Sequence, residues 1–350
     1  MVNFEINFDK DISLFLGANG SGKSTVFEVL NKLRRIIVDE EKVDNVFDIK
    51  DMSRWLKPSR TEKTEVQFEL DIEGIEGFYK YFLVVQFWAL TKEIKVQEES
   101  FSVDDKLIVK SKNEKTIVLD NTELPFENSR SCMRYLSYDP FLAVLRSFFI
   151  VRINPYDMVS TFNKVNVEVK SDFSNYAEWF AHLNEKSRRE ISIFEKAMRD
   201  ILPGFDYFRI LLAGQAKVLQ VEFENTANKK EAITYDFDEL SEGQKVLIVL
   251  YALVYCAPEN SLICIDEPEN FLALPEIQPW FDTLYDQCTE RGLQAILISH
   301  HPKIINLLAN DSGYWFSRES NLTRLQKISA ENESGLSIAE LIERGWIDEH

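Results

Sequence analysis

The chain has 350 residues, with 58 acidic against 40 basic side chains and a formal net charge of -18. Hydrophobic residues make up 45%, 25 of them Phe, while Gly and Pro number 12 and 10, so the composition suits one large globular domain or a domain with an insertion and excludes fibre and disorder. The acidic balance opposes non-specific grip on a phosphate backbone, and the charge does not indicate a nucleic-acid partner.

The N-terminal Val2 to Asp9 alternates and carries charge, unlike a secretory signal, and is read with Ile12 to Leu16 as a strand, turn and strand. A Gly-rich loop, Gly17 to Thr25, follows. Val26, Phe27, Leu30, Leu33 and Ile37 then recur at helical spacing. Residues Asp39 to Thr64 read as a connection with at most a short helix at Met52 to Leu56. Short β-like runs at Val66 to Ile72, Tyr79 to Ala89, Ile94 to Val96, Leu107 to Lys110 and Thr116 to Leu119 predict an antiparallel meander. A helix at Phe141 to Phe149 and a strand at Phe149 to Ile153 follow.

Ser171 to Ile201 reads as helical, stopped by Pro203 and Gly204, and its Lys186, Arg188, Arg189, Lys196 and Arg199 as a solvated face. Strands at Tyr207 to Leu212 and Val218 to Phe223 precede a polar loop at Asn225 to Lys230. The last third alternates: helix Glu242 to Cys256, strand Leu262 to Ile265, helix Glu276 to Glu290, strand Leu293 to Ile298, helix Lys303 to Leu308, the pattern of a parallel sheet. Ser337 to Arg344 carries a capping box. The longest nearly unbroken apolar run, Val246 to Ala257, is about half of the ~20 residues a membrane span needs, so no membrane segment and a cytoplasmic location are expected. Cys132, Cys256, Cys264 and Cys288 are widely separated and read as free thiols, with no Cys-x-x-Cys or His-x-x-x-His for zinc.

Gly17, Ala18, Asn19, Gly20, Ser21, Gly22, Lys23 and Ser24, with Thr25 after them, fit Gly-x-x-x-x-Gly-Lys-Ser in full. Backbone N–H groups of such a loop cradle phosphates at a helix N-terminus, Lys23 reaches the β and γ phosphates, and the Ser24 hydroxyl can ligate magnesium. Leu262 to Ile265 ends in Asp266, placed to hold a magnesium shell, and Glu267, placed to polarise a water. Ser241, Gly243 and Gln244 open the apolar helix before it, either as a plain cap or as a second anion-binding helix end. Ile296 to Ile298 runs into Ser299 and His300, a candidate γ-phosphate contact, with His301 the lesser neighbour.

In their order these four elements resemble the ATP-binding-cassette ATPases of the SMC, RecF and OLD-like branch. Gly17 to Thr25 stands for Walker A, Leu240 to Gln244 for the signature, Ile263 to Glu267 for Walker B and Ser299-His300 for the switch histidine. The resemblance implies a P-loop NTPase of α/β class, with mixed and parallel sheets, an antiparallel β meander and a short helical insertion. It implies ATP and Mg2+ bound in a sandwich homodimer, with Ser241 and Gly243 of one copy facing the γ phosphate held by Lys23 of the other. Catalysis then falls to Glu267, His300 and Lys23, and metal binding to Ser24 and Asp266.

The expected organisation is an ATPase head lobe over 1–158, a helical and β insertion over 159–236, a second head lobe over 237–331 and a helical tail over 332–350. Glu242 stands where transporters carry Gly, and the segment Asn270 to Pro275 lacks the Asp or His expected near Ala273. Neither Gln86 nor another glutamine marks a Q-loop. Only 49 residues follow His301, too few for the nuclease domain of OLD-type relatives, so a separately encoded effector in DNA maintenance or anti-phage defence is expected. The alternatives are the nucleotide-binding subunit of a membrane transporter and a weakly hydrolysing ATP-sensing scaffold.

Overall fold

In the computed structural model the described residues are 3–8, 11–51, 63–74, 76–88, 90–112, 115–118, 122–136, 138–225, 232–319, 322–328 and 336–345. The helix expected at Met52 to Leu56 and most of the loop at Asn225 to Lys230 lie outside them. The chain divides into two compact units, one holding Met1–Asn3 with Thr25–Phe148, the other Phe4–Ser24 with Phe149–His350.

Strand β1 (Ile12–Gly17) is buried along its whole length, as its unbroken apolar run requires, and helix α1 (Lys23–Ile37) starts at the end of the glycine loop. The first unit then adds a short helix α2 (Val43–Val46) and six strands: β2 (Lys63–Gly74), β3 (Gly77–Trp88), β4 (Glu93–Val103), β5 (Lys106–Lys112), β6 (Lys115–Val118) and β7 (Glu123–Pro125). Each pairs antiparallel with the next, so the expected meander is a single six-stranded sheet. Alternate residues of β3, Tyr79, Tyr81, Leu83, Val85 and Phe87, turn into a core shared with Phe101, Phe141 and Leu145, the last two from helix α3 (Asp139–Arg146).

The second unit, which holds β1 and the glycine loop, continues from Phe149 in β8 (Phe148–Val151), followed by β9 (Thr161–Phe162). The helix read as continuous over Ser171 to Ile201 is two, α4 (Tyr176–Lys186) and α5 (Arg188–Ile201), broken at Ser187. The break lies in the polar run Asn184 to Glu190, which holds neither Gly nor Pro to mark a helix end. Ile191, Phe194 and Met198 of α5 point inward, while Lys186, Arg188, Arg189, Lys196 and Arg199 are exposed, as a solvated face should be. Strands β10 (Phe205–Ala213), β11 (Ala216–Phe223) and β12 (Ile233–Asp236) form a small antiparallel sheet with β9.

Helix α6 (Glu242–Cys256) is buried on every side from Lys245 to Val254, the fate of a helix apolar all round. Its last carbonyls, those of Val254 and Tyr255, accept from the Arg291 guanidinium at 2.8 and 3.0 Å, and Ala257 O does so too. Then come β13 (Leu262–Asp266), α7 (Leu274–Arg291), β14 (Gln294–Ile298), α8 (Pro302–Ser312), β15 (Gly313–Glu319), β16 (Leu322–Lys327) and α9 (Ile338–Glu343). They complete a six-stranded sheet in the order β16-β15-β1-β14-β13-β8. Strand β1 is parallel to both β14 and β15, and β13 is parallel to β14, so four neighbouring strands run the same way, and β1, β14 and β13 end side by side at one sheet edge. Ser337 caps α9 in the expected box with Glu340.

Residues 3–8 are not a strand: their alternation serves ring contacts of Phe4 with Phe316 and of Phe8 with Phe15 and Tyr314, and Tyr314 Oη donates to Asn7 O at 2.7 Å. All four cysteines are free and buried. Among the described residues no cluster of His, Cys, Asp and Glu could hold a metal by itself, and no helix is long and apolar enough to cross a membrane.

Candidate functional site

The end of β1 and the start of α1 enclose the glycine loop. Gly17 pairs with Phe316 in the parallel register, and a Cβ there would lie 2.1 Å from Phe316 O, so only glycine passes the neighbouring strand. Gly20 and Gly22 take φ of +77° and +114°, backbone that L side chains resist, and Ser21 N donates to Ala18 O at 3.2 Å to close the turn. Ser21 is buried, and Asn19 is exposed on the loop's rim. Thr25, the last residue of the motif, begins the other compact unit.

Lys23 is nearly buried. Its ammonium donates to Gly17 O at 2.7 Å and Ala18 O at 3.1 Å, so the charge is folded over the loop's own carbonyls. Burial lowers its pKa from the ordinary value, and the Asp266 and Glu267 carboxylates pull it back up. From α1, Ser24 Oγ donates to Asp266 Oδ2 at 3.0 Å, joining residues 242 positions apart. Burial pushes the Asp266 carboxyl up, offset by the Ser24 hydrogen bond and the Arg152 charge, while Glu267 adds to the rise.

Glu267 follows β13 in the left-handed region at φ +56°, a conformation that costs a non-glycine residue and recurs where function demands a fixed direction. Its N–H donates to Ile298 O at 2.8 Å. Arg152, one residue past β8, donates from Nη2 to Glu267 Oε2 at 2.7 Å, and Asn270 Nδ2 donates to the same oxygen at 3.0 Å. Neither donor was legible as a site residue: Arg152 is a single charge after an apolar run, and only the placement of β8 next to β13 brings it in.

The switch segment is held from below by Glu269, whose Oε1 accepts from Ser299 Oγ at 2.8 Å and His300 N at 3.0 Å. The His300 side chain is exposed and shares with Leu16, Gly17, Ala18 and Asn19 a cavity of about 380 Å³, closed by Trp315 and by Ile342 at the foot of α9. His301 is a helix cap, its Nδ1 accepting from Lys303 N at 3.2 Å.

Ser241 caps α6: Gln244 N donates to its Oγ at 3.3 Å, and its own N–H donates to Gln244 Oε1 at 3.0 Å. Gly243 lies against the turn after β13, where a Cβ would meet Phe271 O at 2.9 Å. Among the described residues no hydrogen bond joins Ser241, Gly243 or Gln244 to the glycine loop. Ala273 precedes α7 with its N–H donated to Glu276 Oε2 at 2.8 Å. Gln86 lies in the meander, bonded to Glu65 and Gln97.

Lys23, Ser24, Asp266, Glu267 and His300 are thus brought together at the sheet edge where β1, β13 and β14 end. The hydroxyl and carboxylate of Ser24 and Asp266 are hard oxygen donors 3.0 Å apart, a set that fits Mg2+, which keeps several of its waters. The strand order, the glycine loop and the acid pair define a P-loop NTPase fold.

Residues 152–306, a little under half of the chain, match the family described as "AAA domain, putative AbiEii toxin, Type IV TA system". Over these residues the chain is similar to that AAA family, and its strand order is that of a P-loop fold. No curated protein matches it. Among solved structures it is similar to the SMC head domain from Thermotoga maritima, at 12% identity over 93% of each chain and a TM-score of 0.41. It is also similar to the Smc head domain with a coiled coil and joint from Pyrococcus yayanosii, at 17% identity, covering 50% of this chain and 32% of that one, with a TM-score of 0.35. A third likeness is to a structure titled for ATP-driven dimerization and DNA-stimulated activation of SMC ATPases, at 16% identity over 47% and 95%, with a TM-score of 0.34. The P-loop fold stands on this chain's own topology, to which likenesses of this depth add nothing.

Proposed function

We propose that the chain binds ATP with Mg2+ and hydrolyses the β-γ phosphoanhydride. The observation that carries this is the Ser24–Asp266 hydrogen bond, which unites the glycine loop with the acid pair of β13. On ATP binding, Lys23 exchanges two loop carbonyls for β and γ phosphate oxygens, a better partner for a partly desolvated ammonium. Ser24 and Asp266 would hold Mg2+, which when bound shields the charge of the phosphate oxygens. Glu267 takes the proton of a water as its oxygen bonds to the γ phosphorus and the bond to the β-γ bridging oxygen breaks. His300, at the loop's rim, contacts the γ phosphate.

The proposed assembly is a homodimer with ATP at the head-to-head interface, Ser241, Gly243 and Gln244 of one copy closing on the phosphate held by the other. The exposure of Ser241 at the N-terminus of α6 supports it, since such a helix end favours an anion. The proposed coupling is to a separately encoded effector in DNA maintenance or anti-phage defence. The toxin–antitoxin description of the matched family supports this. The domain boundaries at 158, 236 and 331 and a cytoplasmic location belong to the same proposal. Sedimentation of Glu267→Gln with saturating ATP and Mg2+ tests the assembly: a dimer is expected, absent without nucleotide. A monomer under both conditions overturns it.

A further inference from the structure

We infer that Arg152 is a positioning residue for the hydrolytic step, fixing the Glu267 carboxylate from the end of β8 so that one of its oxygens alone is open to a proton; this rests on the ATPase function proposed above. The carboxylate is held at one end only. Arg152 Nη2 at 2.7 Å and Asn270 Nδ2 at 3.0 Å both donate to Oε2, while Oε1 has no hydrogen-bond partner among the described residues. Two donors on one oxygen fill its lone pairs and fix the plane of the group. The backbone beneath is fixed as well, by the bond from Glu267 N to Ile298 O at 2.8 Å and by the left-handed φ. Without the two donors the side chain would turn among several staggered rotamers, and the reacting oxygen would be misplaced in most of them.

The exposure of the pair indicates what it is for. The Arg152 side chain is 67% exposed and that of Glu267 27%, so the ion pair adds little to folding stability. A contact that merely blocked the base until nucleotide arrived would cover the open oxygen, and this one leaves it uncovered. The planar guanidinium holds the Glu267 carboxylate with a direction that a lysine ammonium lacks.

Turnover and ATP affinity of Arg152→Ala, Arg152→Lys and Asn270→Ala, each alone and combined with Glu267→Gln, test this in the full chain, with radiolabelled ATP to resolve slow rates. Arg152→Ala is expected to lower kcat about tenfold while the Kd for ATP stays within about twofold, a loss in the chemical step and not in binding. Arg152→Lys should recover part of the rate, and Asn270→Ala should cost less than Arg152→Ala. In the Glu267→Gln background, Arg152→Ala should cause no further fall. An unchanged or raised kcat overturns the inference, and so does an equal fall in both backgrounds, which would make Arg152 a general support of the fold. If Glu267→Gln itself turns over like the wild type, the ATPase function fails and this inference with it.

Discussion

Two glutamates, one in each compact unit, are held in opposite ways, Glu99 within β4 and Glu267 one residue past β13. Glu99 of β4 is fully buried, and its carboxylate accepts from Ser131 Oγ at 2.5 Å, Cys132 N at 2.6 Å and Tyr81 Oη at 2.7 Å, with both oxygens engaged. Burial pushes its carboxyl up, and the three donors work against that rise. Glu267 of the second unit is partly exposed, with one oxygen held twice and the other open. A buried carboxylate with both oxygens engaged does structural work. One that is oriented and left with a vacant acceptor is available for chemistry, and the unit that holds it also holds the glycine loop.

The contrast breaks most visibly at Lys23. Lys23→Ala should abolish measurable ATP binding by equilibrium titration, a loss of about 100-fold or more in affinity, because nothing else in the loop supplies a cation. Retained affinity would make the loop a plain Gly-rich turn. Ser241→Arg should leave ATP binding to the monomer within about twofold and lower turnover by about 100-fold, as expected if this exposed helix end completes the site of a second copy. Unchanged turnover would leave Ser241 as the cap of α6 and no more. Glu99→Ala gives the converse result: about 3 kcal/mol less stable in chemical denaturation, from buried donors left unpaired, with ATP affinity unaltered. A loss of ATP affinity there, at unchanged stability, would dissolve the distinction between the two glutamates.

Much of this was legible before any coordinates, because local chemistry dictated it. The six-residue burial of β1, the glycine positions with positive φ and the cap of α6 by Ser241 and Gln244 follow from residue types at fixed spacing. The meander showed itself through alternation in β2 and β3. What stayed hidden depends on long-range placement. Arg152 and Glu269 carry no local signature and acquire their roles only because β8 and β14 flank β13. The strand β12, at Ile233–Asp236, is short and mostly exposed, so no apolar pattern marked it. Conversely, residues 3–8 show strand-like alternation without a ladder, since their aromatic rings find Phe15, Tyr314 and Phe316 through side chains alone.

The account stands on Glu267 as the base of a hydrolytic P-loop site. Single-turnover release of phosphate from ATP, measured for the wild type and Glu267→Gln at equal saturation with nucleotide and Mg2+, tests this directly. The wild type should release phosphate while the variant holds ATP intact, with a rate lower by about 100-fold or more. Equal rates from the two proteins would contradict it.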